Sequence, residues 1–221
     1  MHFIICSIVY FISSTILIAS EVSPTWKSRG VNDGVEVFSA DIPGSQVVAF
    51  RGVATIKSSI QKLVTAMYDM ERKKEWMYEL EEIKVLRYLN KNERIEYYHS
   101  ATPWPLDDRD FVYRSKFQLK DNNRIFTLKL EGASDAKAPE KKGIVRGKLE
   151  HSSYVFTSLG NNLTKVEVEI LADPKGLVPK WIVNLFQKSW PSNTIGGLRN
   201  LVTSSNFVVV DEVKQFFKRN K

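Results

Sequence analysis

The sequence predicts an α+β fold: one domain built on a curved antiparallel sheet with one dry face, covered by a long C-terminal helix. Three observations predict it. β-type segments follow one another from Ile83 to Leu171, joined by Asn90-Lys91-Asn92, Asp121-Asn122-Asn123 and Gly160-Asn161-Asn162, whose residues tolerate left-handed turns. Within them polar and apolar residues alternate: Phe111, Tyr113, Ser115, Phe117 and Leu119 share one face, and Arg114, Lys116, Gln118 and Lys120 the other. Near the C-terminus, Val178, Trp181, Ile182, Leu185, Phe186 and Ser189 recur at helical spacing. A sheet with a dry face needs a cover, and this helix is the element available.

Taken in order, Val35–Ala40 and Gln46–Phe50 read as strands joined by a turn through Pro43 and Gly44. Ser58 and Ser59 then stand as caps for a helix in which Ile60, Leu63, Val64 and Met67 form one apolar stripe. The charged run Glu71-Arg72-Lys73-Lys74-Glu75 reads as a wet helix face ending at Trp76. Strands are expected over Ile83–Leu89, Ile95–Ser100, Asp110–Leu119, Arg124–Glu131, Ile144–Ser158 and Leu163–Leu171. Phe126, Leu128 and Leu130 continue the dry face, and Val166, Val168 and Ile170 do so later. The polar segment Ala133–Gly143 reads as a loop, and Pro191 should end or kink the last helix at Trp190.

The 221 residues carry a formal net charge of +7, and every charged residue follows Ser20. Residues 3–20 form an uncharged apolar leader, with Ala19 and Ser20 ahead of Glu21 as at a signal-peptidase site. The expectation is export, periplasmic or secreted, with residues 1–20 removed; an uncleaved anchor over residues 3–20 is the alternative. The single cysteine, Cys6, lies in the leader, which excludes disulfides, thiolate zinc sites and cysteine nucleophiles from the body. His99 and His151 lie in different strands with no carboxylate cluster at ligand spacing, so no metal and no cofactor is expected. Basic residues alternate with acids instead of forming an aromatic-interleaved patch, which argues against nucleic acid and leaves transient attraction to anionic membranes.

Several strings, in order and spacing, resemble the START (steroidogenic acute regulatory protein-related lipid transfer) domain across residues 25–203. They are Trp26-Lys27, Gly34–Phe38, Phe50-Arg51-Gly52, Asp69–Trp76, Ile83–Leu86, Arg109-Asp110-Phe111-Val112, Asp173-Pro174-Lys175-Gly176 and Pro179–Asn184. The resemblance implies a helix-grip fold, a sheet curled around the C-terminal helix, and a non-catalytic monomer that binds one lipid or sterol-like molecule as carrier or sensor. Cavity and lid candidates are then Glu96, Tyr98, Phe111, Tyr113, Ser115, Phe117, Phe126 and Leu128 on the sheet and Trp181, Ile182, Leu185 and Phe186 on the helix. The covering helix and the loop beside it, Ala133–Gly143, are expected to move for ligand entry. Some sterol-binding members pair an acid at the position of Glu96 with an arginine at the position of Ser115. Here the nearby basic residue, Arg114, falls on the outer face, which leaves Glu96 to face water, find another partner or sit neutral. The competing reading is a helix-grip cyclase or hydrolase using Glu96, Tyr98 or His99 as acid or base on the inner face. Residues 204–221 run beyond the resemblance, where Val213, Phe216 and Phe217 suggest a short helix.

Overall fold

The computed structural model describes residues 24–45, 47–176, 178 and 180–220, with side chains excepted for 180–188. The expected leader, residues 1–20, lies outside the described residues. The strands are β1 (Lys27–Asn32), β2 (Val35–Asp41), β3 (Val48–Ile56), β4 (Leu80–Asn90), β5 (Glu93–Ser100), β6 (Asp108–Lys120), β7 (Ile125–Gly132), β8 (Ile144–Arg146), β9 (Lys148–Gly160) and β10 (Leu163–Asp173). The helices are α1 (Ile60–Tyr68), α2 (Lys180–Thr203) and α3 (Asp211–Arg219). One sheet runs β1-β2-β3-β10-β9-β7-β6-β5-β4, with β8 added in parallel beside β6. The other pairings are antiparallel, and α2 packs on β2, β3 and β10.

Local chemistry accounts for most of these elements. The Ser59 hydroxyl caps α1 by accepting from the Lys62 amide at 3.4 Å, which leaves the stripe Ile60, Leu63, Val64 and Met67 buried. Asp33 and Gly34, both at positive φ, make the two-residue turn that adds β1 to the predicted β2; that Asp-Gly pair was the available signal for the extra strand. The segment expected as one strand over Ile144–Ser158 is divided at Gly147, where the chain leaves its parallel pairing with β6 and a Cβ would lie 2.3 Å from the Phe111 ring.

Two expectations need correction. The helix α2 does not end at Trp190: it runs through Pro191 as one element, and Pro191 lies against Gly52 of β3, where a Cβ would be 2.8 Å from it. The run Glu71–Glu75 is not a wet helix face. It contains a short 3₁₀ turn, Lys73–Glu75, and Lys73 is buried beneath it. The short helix expected near the C-terminus is α3, and its Val213, Phe216 and Phe217 enter the main core, where Tyr68 lies 4.6 Å from Phe117 and 5.5 Å from Phe216 between ring centroids.

The loop Ala133–Gly143 also lies elsewhere than expected. It folds over the outer face of the sheet, where Ala138 joins Leu86, Ile95, Tyr97 and Val112 in a second small core. Arg146 clamps it, bonding Asp110 at 2.6 and 3.0 Å and the Ala138 carbonyl at 3.1 Å. None of its described residues lines the internal cavity.

Candidate functional site

Between the inner face of the sheet and α2 lies a cavity of about 1030 Å³, at the upper end of the usual range for ligand sites. The sheet's inner face divides along the strands. At one end Phe117, Phe126 and Phe156 are buried in the main core, with Phe126 and Phe156 stacked at 5.4 Å. At the other, Phe50, Phe111, Leu130, Leu149 and Ile170 leave space before α2 and line the cavity. Among the predicted cavity residues, Tyr98, Phe111 and Tyr113 therefore line it. Phe117 and Phe126 do not: they face inward as alternation requires, but at the end filled by α1 and α3. Leu128, Glu96 and Ser115 lie deeper, as described below. The side chains of Trp181, Ile182, Leu185 and Phe186 lie outside the described residues, on the first half of α2.

Three loops frame the mouth: Ile42–Ser45 with Val47, Thr102 and Leu106, and Asp173–Gly176 with Val178. Arg109, at the start of β6, joins two of these loops by donating to the carbonyls of Pro174 at 3.4 Å, Lys175 at 3.5 Å and Asp107. Burial lowers the Arg109 pKa. Trp104 stands at the tip of the middle loop, 89% exposed. The cavity walls carry the phenols of Tyr98, Tyr113 and Tyr154, each with its pKa raised by burial, so all three remain protonated hydrogen-bond donors.

Behind the inner wall lies the feature that sequence reasoning missed. Glu96 is only 3% exposed and does not face water. It is ion-paired with Arg94, two residues earlier on the same strand and therefore on the same face, and it accepts from the Ser115 hydroxyl at 2.9 Å. Arg94 is the register partner of Ser115 across β5 and β6, so the neighbouring strand supplies the cation that β6 lacks. Its guanidinium also lies 4.8 Å from the Phe117 ring centroid. Arg114 points outward to Glu93, as alternation predicts. Lys73, 4% exposed, faces this pair from the 3₁₀ turn. The i, i+2 spacing of Arg94 and Glu96 was the available signal for the pair; nothing in a charged pentapeptide signals the burial of its third residue.

The residues named for acid–base chemistry do not meet. Glu96 and Tyr98 face inward, whereas His99 lies on the opposite face of β5 and bonds Asp108 at 2.9 Å. Among the described residues no cluster of His, Cys, Asp and Glu has the geometry of a metal site, and no helix is long and apolar enough to cross a membrane.

Comparisons with known proteins agree with this architecture. The uncharacterized protein PA1579 of Pseudomonas aeruginosa is 29% identical over 176 residues, 79% of this chain and 85% of that protein. The phosphatidylcholine transfer protein of Rattus norvegicus is 23% identical over 167 residues, 74% of this chain and 77% of that one. Human StAR-related lipid transfer protein 5 superposes with a TM-score of 0.73 at 16% identity, covering 86% of this chain and 87% of that structure, a likeness of fold. The model of the START domain matches residues 17–202, and with the open antiparallel sheet gripping α2 it establishes that the chain belongs to the START domain family.

Proposed function

We propose that this protein takes a single lipid or similar apolar molecule into the cavity beneath α2 and carries it without changing it chemically. The observation that carries this reading is the cavity of about 1030 Å³, with a mostly apolar sheet wall and a few phenols as donors. Moving an apolar ligand into it from water is favourable by about 25 cal/mol per Å² of apolar surface, and the few polar groups select the head group. Two of the similar proteins are lipid transfer proteins by name, which supports the same role here. The separation of His99 from Glu96 and Tyr98, and the engagement of Glu96 by Arg94, weigh against a cyclase or hydrolase.

Native mass spectrometry of the protein purified under gentle conditions, followed by extraction, tests the reading. One bound lipid per monomer is expected; a protein that stays empty after incubation with phospholipids, fatty acids and sterols would overturn it.

We further propose that residues 1–20 direct export and that the exported monomer exchanges its cargo at a membrane through the mouth. Trp104 on a mouth loop suits the interfacial region, where indole rings are enriched, and the +7 charge suits an anionic surface. The variant Trp104→Ala should lower partitioning onto anionic phospholipid vesicles several-fold and change stability by less than about 0.5 kcal/mol, as for an exposed site. Unchanged vesicle sedimentation would remove Trp104 from the docking surface.

A further inference from the structure

Beside the main cavity lies a recess of about 20 Å³, lined by Met67, Lys73, Trp76, Arg94, Glu96 and Leu128. Met77, Tyr113, Leu130 and Tyr154 line both spaces, so the two are adjacent. The recess has room for about one water-sized group.

Its hydrogen-bonding inventory is unbalanced. Arg94 and Glu96 satisfy each other, and Ser115 donates to the same carboxylate. Lys73 has no acceptor within hydrogen-bonding or ion-pairing distance among the described residues; its ammonium lies 5.2 Å from the Trp76 ring centroid. The indole Nε1–H of Trp76 is also buried without a partner. Two donors therefore lack acceptors beside a cavity, and two buried cations share one anion. Buried donors and buried charges of this kind are normally matched.

We propose that this recess seats the anionic end of the cavity's ligand, a carboxylate or phosphate oxygen, with Lys73 as its counter-charge, while the apolar part lies along the main cavity towards the mouth. The proposal rests on the lipid-binding reading above and names the chemical class of lipid it takes.

A dependence on pH follows. The groups facing Lys73 are Asp69 at the end of α1 and Arg94 and Glu96 on β5; Tyr113 of β6 and Tyr154 of β9 line the same recess. Burial is the dominant influence and brings its pKa down to about 8, with Arg94 acting in the same direction and Glu96 and Asp69 opposing. Below that pH Lys73 is charged and receives the anion directly. Above it, binding requires a proton to be taken up, and affinity falls by up to about tenfold per pH unit.

The test uses the delipidated protein with three single-chain probes: oleate, oleoyl lysophosphatidate and neutral monoolein. The parent protein should favour at least one anionic probe over monoolein by about tenfold near pH 7, with the preference fading above about pH 8. Lys73→Met should bring that ratio close to one, and Lys73→Arg should keep the preference while abolishing its decline with pH. The probe whose ratio falls most on Lys73→Met identifies carboxylate or phosphate. If monoolein binds and Lys73→Met leaves every ratio unchanged, the recess is not an anion seat and the proposal fails alone. Binding of none of the three probes would overturn the lipid-cavity reading and this proposal together.

Discussion

Replacing Glu96 by Ala is expected to destabilise the protein by about 3–5 kcal/mol, the usual range when one partner of a buried ion pair is removed. The cause is what remains: Arg94 buried with only the Met67 carbonyl and the Met70 sulfur near its guanidinium, at 3.4 and 3.3 Å, and Lys73 close by. For a chain of this size that is a fall in Tm of about 6–20 °C. The double variant Arg94→Met with Glu96→Leu should recover most of the loss, because apolar groups of similar volume need no counter-charge. Thermal and urea unfolding of the three proteins measures it. A single variant within about 1 kcal/mol of the parent would mean that water reaches the pair and screens it.

The second large effect is expected at Gly197. Glycine inside a helix is about 1 kcal/mol worse than alanine, so an alanine should help α2 if nothing stood nearby. Yet a Cβ at Gly197 would lie 2.4 Å from the Trp76 carbonyl oxygen and 3.1 Å from the Trp76 Cα, backbone atoms that cannot rotate away. Relieving the clash means separating α2 from the turn that carries Lys73, and overpacking of this kind costs about 1–3 kcal/mol or more. Gly197→Ala should therefore be destabilising by about 2 kcal/mol, a Tm decrease of about 4–8 °C. Gly196→Ala is the internal control: its Cβ would meet only the Asp33 carboxylate, at 3.1 Å, which can swing aside. Equal Tm values for the two variants would show that α2 does not bear on Trp76 as closely as described.

Alternation told which side chains face inward, because a strand has period two whatever it packs against. It did not tell how far along the strand the core ends. Phe117 and Tyr113 share a face of β6, yet one is packed in the core near α1 and α3 and the other looks into the cavity, a difference set by helices distant in sequence. Pro191 shows the same limit in reverse. The local rule leaves open whether a proline ends or kinks its helix, and here the element continues to Thr203, with Pro191 seated against Gly52 from a distant strand. Glu96 was legible as inward, but its partner was sought on β6, whereas the strand itself carries it two residues earlier. Lys73 was illegible, since its burial depends on strands distant in sequence, which bring Arg94, Glu96, Tyr113 and Tyr154 to the same recess.

The two ends of the sheet, β1 and β4, are not hydrogen-bonded to each other; α2 packs against β1, β2 and β3 on one side, and the 3₁₀ turn packs against β4 on the other. In a closed barrel the bore is fixed by strand number and shear, and widening it means breaking backbone bonds. Here no closed ladder fixes the bore, and the packing of α1, α2 and α3 side chains on the inner face sets it instead. On the proposed lipid-carrying reading, the apolar wall would grade cargo by the bulk and length of its hydrocarbon, and the Arg94, Glu96 and Ser115 group by the chemistry of its polar end.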